Sequence, residues 1–302
     1  MEKLSSVSFQ GNKKQKEKKN VKGAVNAMLV GSLASSASMP VNRFAVHNMS
    51  KLSKGLSKDQ VETVNNGAQN VLENIADLAK KGIKILDFRE EKAPKDMPKL
   101  LADRKFPLDA IARGENAAFV GSGNSVMKEL IKEAGLTENS IILNKDKMSL
   151  ATFHEMGHAF NHNNSTIWKT VQGSSKVLKL IAPFIALMPA FTKEHKAKEG
   201  EELTTKQKIT NSLRKASPFL ATAAVLPTVA EETMATIRGN KWAKEVFKDT
   251  PELAKKVAKS NKWGLVTYVV MAIATGFGAW AAKKVKDNSD AKKETIAYSH
   301  QG

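Results

Sequence analysis

The chain has 302 residues, 41% of them hydrophobic and 26% charged, with a formal net charge of +18 and no cysteine. That size fits one large domain or two smaller ones, and this composition does not make disorder the default reading; the lack of cysteine excludes disulfides and thiolate metal sites. The charge invites a nucleic-acid reading, but the basic residues are mostly Lys, spread along the chain and mixed with Glu, and aromatics are only 6%, so no nucleic-acid partner is expected and an anionic membrane surface fits better.

Residues 1–22 contain a Lys run without apolar period, GNKKQKEKKNVK, and read as a basic disordered head. Residues 23–39, GAVNAMLVGSLASSASM, are uncharged and weakly apolar, at the short limit for a span. A basic region before such a stretch marks either a signal sequence or a membrane anchor. Residues 45–165 read as an α+β domain. Val61, Val64, Ala68, Val71, Leu72, Ile75 and Leu78 recur at three- and four-residue steps, which predicts an amphipathic helix closed by Gly82. Residues 83–88 alternate like a strand, NAAFVGSGN is a short apolar run into a Gly turn, SVMKELIKEAG is helical, and residues 140–147 read as a strand. The GSGN turn lacks the spacing and the Lys-Ser/Thr of a phosphate loop.

Residues 166–232 hold two apolar runs, 177–191 and 216–230, on either side of a charged loop. Each is shorter than the roughly 20 residues of a span, but helical extension of the first makes a membrane hairpin the preferred reading over a buried soluble helix pair. Residues 233–262 form a basic helical segment. Residues 263–282, WGLVTYVVMAIATGFGAWAA, carry no charge, have Trp near each end and Lys on both flanks, and read as a transmembrane helix. Residues 283–302 are a polar tail.

The stretch LATFHEMGHAFNHNN, residues 150–164, contains H-E-x-x-H. On a helix, His154 and His158 stand four residues apart on one face, where two imidazole nitrogens can reach one Zn2+ ion at about 2.0–2.1 Å. Glu155 lies beside the first ligand, placed to act as general base on a zinc-activated water. Gly157 leaves room on the helix for close approach. A catalytic zinc needs a third protein ligand. His162 lies two turns from His154, too far along the axis for one tetrahedral ion to collect all three. The metzincin pattern fails because Asn161 and Asn164 stand where its Gly and last His belong. A carboxylate from a second helix remains, and LPTVAEETMATIRG, residues 226–239, offers both Glu231 and Glu232.

HEMGHAFNH is similar to the zinc helix of membrane endopeptidases of the gluzincin clan, which includes the HtpX heat-shock peptidases, the CAAX prenyl endopeptidases and the YugP-type neutral zinc metallopeptidases. LPTVAEETMATIRG resembles the Leu-Pro, Glu-x-x-Ala and later Arg pattern of the YugP type, and GLVTYVVMAIATGFGA its apolar C-terminal segment. The resemblance spans roughly residues 140–282 and is strongest at the zinc helix; the region before residue 147 departs from it. It implies an α+β zincin-like catalytic domain with about three, or four, transmembrane helices. It implies Glu232 as the third ligand, with Glu231 the alternative, and His162 and Arg238 as supporting or oxyanion-stabilising candidates. It also implies an endopeptidase that acts at the membrane on a protein or peptide substrate.

Membrane lipid is the second expected partner. Positive charge in the loop at residues 192–215 and in the tail favours a cytoplasmic side for both, which would place a multi-pass chain's zinc site on the extracytoplasmic side. The basic segment after Glu232 pulls the other way. Two other readings stand beside the enzyme: a non-catalytic zinc-binding membrane scaffold, and a basic membrane-surface binding protein.

Overall fold

The structure is a computed structural model that describes residues 21–89, 106–121, 139–197 and 199–299. The basic head up to residue 20, the helix expected at 125–135 and the end of the tail lie outside the described residues. The chain is mostly helical. In order, it forms α1 (residues 21–36), α2 (Ser38–Lys54), α3 (Lys58–Asn74), α4 (Ala76–Ala79), β1 (Lys84–Asp87), α5 (Phe106–Ala112), β2 (Ala117–Val120) and β3 (Ser140–Leu143). There follow α6 (Lys145–Met148), α7 (Thr152–Asn164), α8 (Thr166–Phe191), α9 (Thr205–Ala223), α10 (Leu226–Val246) and α11 (Pro251–Ser299). Two compact units emerge: residues 39–176 with 227–269, and residues up to 38 with 177–226 and from 270 onward.

The first unit is built on the amphipathic helix expected between residues 57 and 82. Ser57 opens α3 with a capping box: its Oγ accepts from the Gln60 amide, and Gln60 Oε1 accepts from the Ser57 amide. The stripe Val64, Ala68, Val71 and Leu72 is buried. The helix ends at Asn74, and the chain then turns through Gly82, whose φ of +59° belongs to the left-handed region that glycine adopts without strain. The sheet has order β1-β3-β2, with β1 parallel and β2 antiparallel to the central strand. All four residues of β3 are buried. The strand stops at Leu143, short of the expected residue 147, because the Asn144 side chain accepts from the Asp146 and Lys147 amides and starts α6. Phe153, Met156 and Ala159 of α7 join Ile141, Leu143, Leu72 and Phe247 in one core. The rings of Phe153 and Phe247 meet edge to face at 5.4 Å.

In the second unit, Gly23 of α1 lies against Ser289 and Lys293, and Gly31 against Gly278 and Ala282, so α1 and α11 run antiparallel. Arg214 of α9 bonds the Pro189 carbonyl and Asp287, while Ala221 meets Ala186 and Ala279. Helix α9 is thus antiparallel to both α8 and α11. Small residues fill these crossings: Gly31, Gly276, Gly278, Ala186, Ala221, Ala279 and Ala282. Large apolar residues face outward instead, with Leu33, Leu180, Phe184 and Phe219 between 69% and 73% exposed. Small inside and large outside is the arrangement of helices solvated by lipid.

Among the described residues, three helical stretches are long and apolar enough to cross a membrane: Val21–Lys54, Thr166–Phe191 and Pro251–Lys293. The expected run at 216–230 is not among them. It breaks at Ala224–Val225 between α9 and α10, and α9 carries Lys206, Lys208, Arg214 and Lys215. The first half of the expected hairpin is therefore a candidate span, and the second half is a shorter return helix.

Candidate metal centre

Helices α7 and α10 cross with their backbones in contact. A methyl group at Gly157 would sit 2.6 Å from Ala235 Cα, and one at Gly239 would sit 2.7 Å from the Phe153 carbonyl carbon. Only glycine at both positions allows this approach. On α10, Glu231, Ala235 and Gly239 repeat every four residues on the crossing face, with Glu232 and Thr236 beside them, and all five are buried. Opposite stand His154, Gly157, His158 and Asn161 of α7, with the same spacing.

The result is a tight triangle of ligand atoms. His154 Nε2 and His158 Nε2 are 2.9 Å apart, and Glu232 Oε2 lies 3.1 Å from the first and 3.3 Å from the second. Donors about 2.0–2.1 Å from a tetrahedral ion are separated by about 3.3 Å, so the three side chains match the size of one such ion. A buried His154, His158 and Glu232 group could hold a metal ion.

Glu231 has a different place. Its Oε1 accepts from His158 Nδ1 at 2.7 Å, from Gln172 Nε2 at 2.6 Å and from Asn161 Nδ2 at 3.1 Å. An oxygen so engaged fixes the proton of His158 on Nδ1 and leaves Nε2 to a metal. Thr236 Oγ1, 3.2 Å from His154 Nδ1, orients the other imidazole. Of the two adjacent carboxylates, Glu232 completes the triangle and Glu231 orients His158.

Burial works against charge on His158, but Glu232 and Glu231 beside it more than reverse this and raise its pKa well above the usual histidine value. Burial likewise works against the carboxylate of Glu232, and the facing His158 and His154 overcome it, holding Glu232 well below the usual range. Glu231 is lowered by the same balance. The pocket demands positive charge at its centre.

Comparison with protein-family models, with curated proteins and with solved structures finds no match for this chain. The site therefore stands on its own geometry.

Glu155 is buried, and its Oε2 accepts the Phe119 amide of β2 at 2.7 Å. That edge strand thereby fixes the carboxylate's position. Neither His162 nor Arg238 joins the triangle. His162 Nδ1 lies 3.2 Å from Gln172 Oε1, and Gln172 carries the connection on to Glu231. Arg238 donates to Asn161 Oδ1, and its guanidinium sits 4.6 Å over the Phe160 ring. Both brace the surroundings of Glu231. Gln172, Thr236 and Phe119 carry no signal in the sequence, and Tyr268, read there as part of an apolar span, hydrogen-bonds Glu232.

Proposed function

We propose that this protein is a multi-pass membrane zinc endopeptidase. The observation that carries the reading is the triangle of His154, His158 and Glu232 beside Glu155, a carboxylate that belongs to none of its edges. Four protein ligands close a structural zinc site, whereas this group offers three, leaving a position open of the kind a catalytic zinc keeps, with Glu155 next to His154 in the chain to serve as base. The chemistry a bound zinc ion supplies is Lewis-acid polarisation of a carbonyl and a water acidified towards neutral pH. Glu155, held by the Phe119 amide, takes the proton of the attacking water and returns it to the leaving amine. The Tyr268 hydroxyl, which reaches Glu232, is the donor placed to steady negative charge on the substrate carbonyl oxygen. Glu231, Gln172, Asn161 and Arg238 keep His158 in its ligating tautomer.

The start of α1, the loop after α8 and the tail segment of α11 share one end of the second unit, as the contacts Gly23–Lys293, Asn211–His195 and Arg214–Asp287 require. Their lysines favour a cytoplasmic side. With α8 crossing the bilayer, the zinc helix before it then lies on the extracytoplasmic side. The chain's lack of cysteine makes single-cysteine labelling with an impermeant maleimide a clean test, with a Cys at Ser165 reacting from outside and one at Lys193 from inside.

The deciding experiment purifies wild type and Glu155→Gln in detergent, measures zinc content and follows casein cleavage. Both should hold one zinc ion, and the variant should lose about 10²–10⁴-fold in rate. Zinc bound with equal cleavage by both would leave a zinc-binding membrane scaffold; no zinc would remove both readings.

A further inference from the structure

We propose that the cleft at the far end of the zinc helix binds a carboxylate of the peptide substrate, either an Asp or Glu side chain or the peptide's own C-terminus. The proposal rests on the endopeptidase reading and gives it a substrate class. The cleft has a volume of about 400 Å³ and is lined by Lys81, His162, Asn164, Thr166 and Lys169 among others. No acidic residue lines it among the described residues. Lys81 and Lys169 make no ion pair among the described residues and are exposed. Thr166 opens a 26-residue helix with no acidic residue in its first turn, so its positive end is not neutralised locally. Two lysines and amide donors without a carboxylate suit an anion with several acceptor oxygens, while the His162 ring forms part of the wall.

The cleft is connected to the chemistry. His162 is one helical turn beyond His158, about 6 Å along the axis. A methyl group at Gly121, just after β2, would meet His162 Nε2 at 2.8 Å, and the His162 ring is 5.7 Å from that of Phe119, whose amide holds Glu155. The few residues from Phe119 to Gly121 thus run from the general base to the cleft wall. At about 3.3 Å per extended residue, two to four substrate residues span roughly 7–13 Å, enough to pass the ~6 Å from His158 to His162 and enter the cleft.

The test uses zinc-loaded full-length protein in detergent and quenched fluorescent peptides that differ only by Glu against Gln at each of four positions on either side of the cleaved bond. A second pair differs by a free or amidated C-terminus. Wild type should prefer the carboxylate by about tenfold in kcat/KM at one position, or at the C-terminus. That ratio should fall to about one in Lys81→Ala/Lys169→Ala, and Lys169→Glu should prefer a peptide with Lys at the same position. An equal ratio in wild type and the double variant would overturn the proposal. Should no peptide be cleaved, the endopeptidase reading falls by itself. The cleft is then judged by fluorescence anisotropy of the same labelled peptides on Glu155→Gln, where equal affinity for acid and amide forms overturns it and a salt-sensitive preference for the acid supports it.

Discussion

The two units use glycine in the same way and surround it with opposite chemistry. In the unit that holds the candidate metal centre, Gly157 and Gly239 bring two helix backbones together, and the large side chains Phe153, Met156, Ile141 and Phe247 point inward at 0–2% exposure. In the other unit, Gly31, Gly276 and Gly278 make crossings as close, yet Phe184, Phe219 and Leu180 point outward. A water-solvated core gains from burying large apolar surface. A lipid-solvated bundle gains nothing from hiding leucine from lipid, so its inside goes to residues that let backbones touch. What surrounds the glycines, and not the glycines themselves, separates a packed core from a bundle of candidate membrane helices.

The largest expected effect tests this contrast with one substitution in each unit. Phe153→Ala should cost about 3–5 kcal/mol of stability, because it empties a filled site in a packed core. Phe184→Ala should cost less than about 1 kcal/mol in detergent, since that ring touches solvent or lipid, while weakening retention in the bilayer. Thermal unfolding of both purified variants measures the difference; equal losses would break the distinction between the units.

Next in size is the helix crossing. Gly157→Ala forces a methyl group into the Ala235 backbone, and overpacking of this kind costs about 1–3 kcal/mol. The more telling readout is zinc content. Moving α10 away from α7 pulls Glu232 from a triangle whose edges are 2.9–3.3 Å, so the variant should fold with reduced zinc. Retention of full zinc stoichiometry would mean that the close approach serves packing alone.

These contrasts mark how far the sequence carries. The α3 helix, the strands β1 and β3 and the pair His154 and His158 follow from local rules of periodicity and spacing, because a helix of known pitch places residues four apart on one face whatever else the chain does; β2 read only as a short apolar run before a turn. The end of β3 at Leu143 was less legible, since it depends on one Asn144 side chain capping α6. The apolar run at 216–230 read as one segment, and its break at Ala224–Val225 carries no Gly or Pro within it to announce it; Pro227 follows just after. Glu231 and Glu232 were indistinguishable by composition. Their separation came from α10's rotation, which points Glu232 at both imidazoles and Glu231 at Nδ1 of one. Phe119 supplies a backbone amide that any residue other than proline could supply, and Gln172 sits in a helix read only as an extension of a span. Such contributions exist only once the fold has formed.

A smaller effect separates those two carboxylates. Glu231→Gln should keep one zinc ion per chain but weaken its affinity about 10–100-fold, as expected for a partner that orients a ligand. Glu232→Gln removes a ligand and should lose the ion under the same conditions. Competition with a chelator of known affinity ranks the two; the reverse ranking would exchange their roles.

The smallest effect is a proton. Glu232 and Glu231 raise the pKa of His158 in the metal-free protein well above the ordinary value of about 6.5. The extra stability from this pairing is complete below about pH 6.5 and is lost as pH rises through the higher folded-state pKa. Metal-free protein should therefore become less stable as the pH is raised above neutral. Zinc needs the Nε2 lone pair of His158, so its binding must expel that proton, and zinc affinity should rise with pH across the same window. Titrating zinc into weakly buffered protein near pH 7 should release roughly one proton per ion. The outward-facing unit predicts no such release, which makes the count specific to the inward one. In Glu231→Gln, one of the two carboxylates that raise the pKa is neutral, so fewer protons should appear. An unchanged count in that variant would show that Glu231 does not hold His158 protonated, and would return the histidine's charge to Glu232 alone.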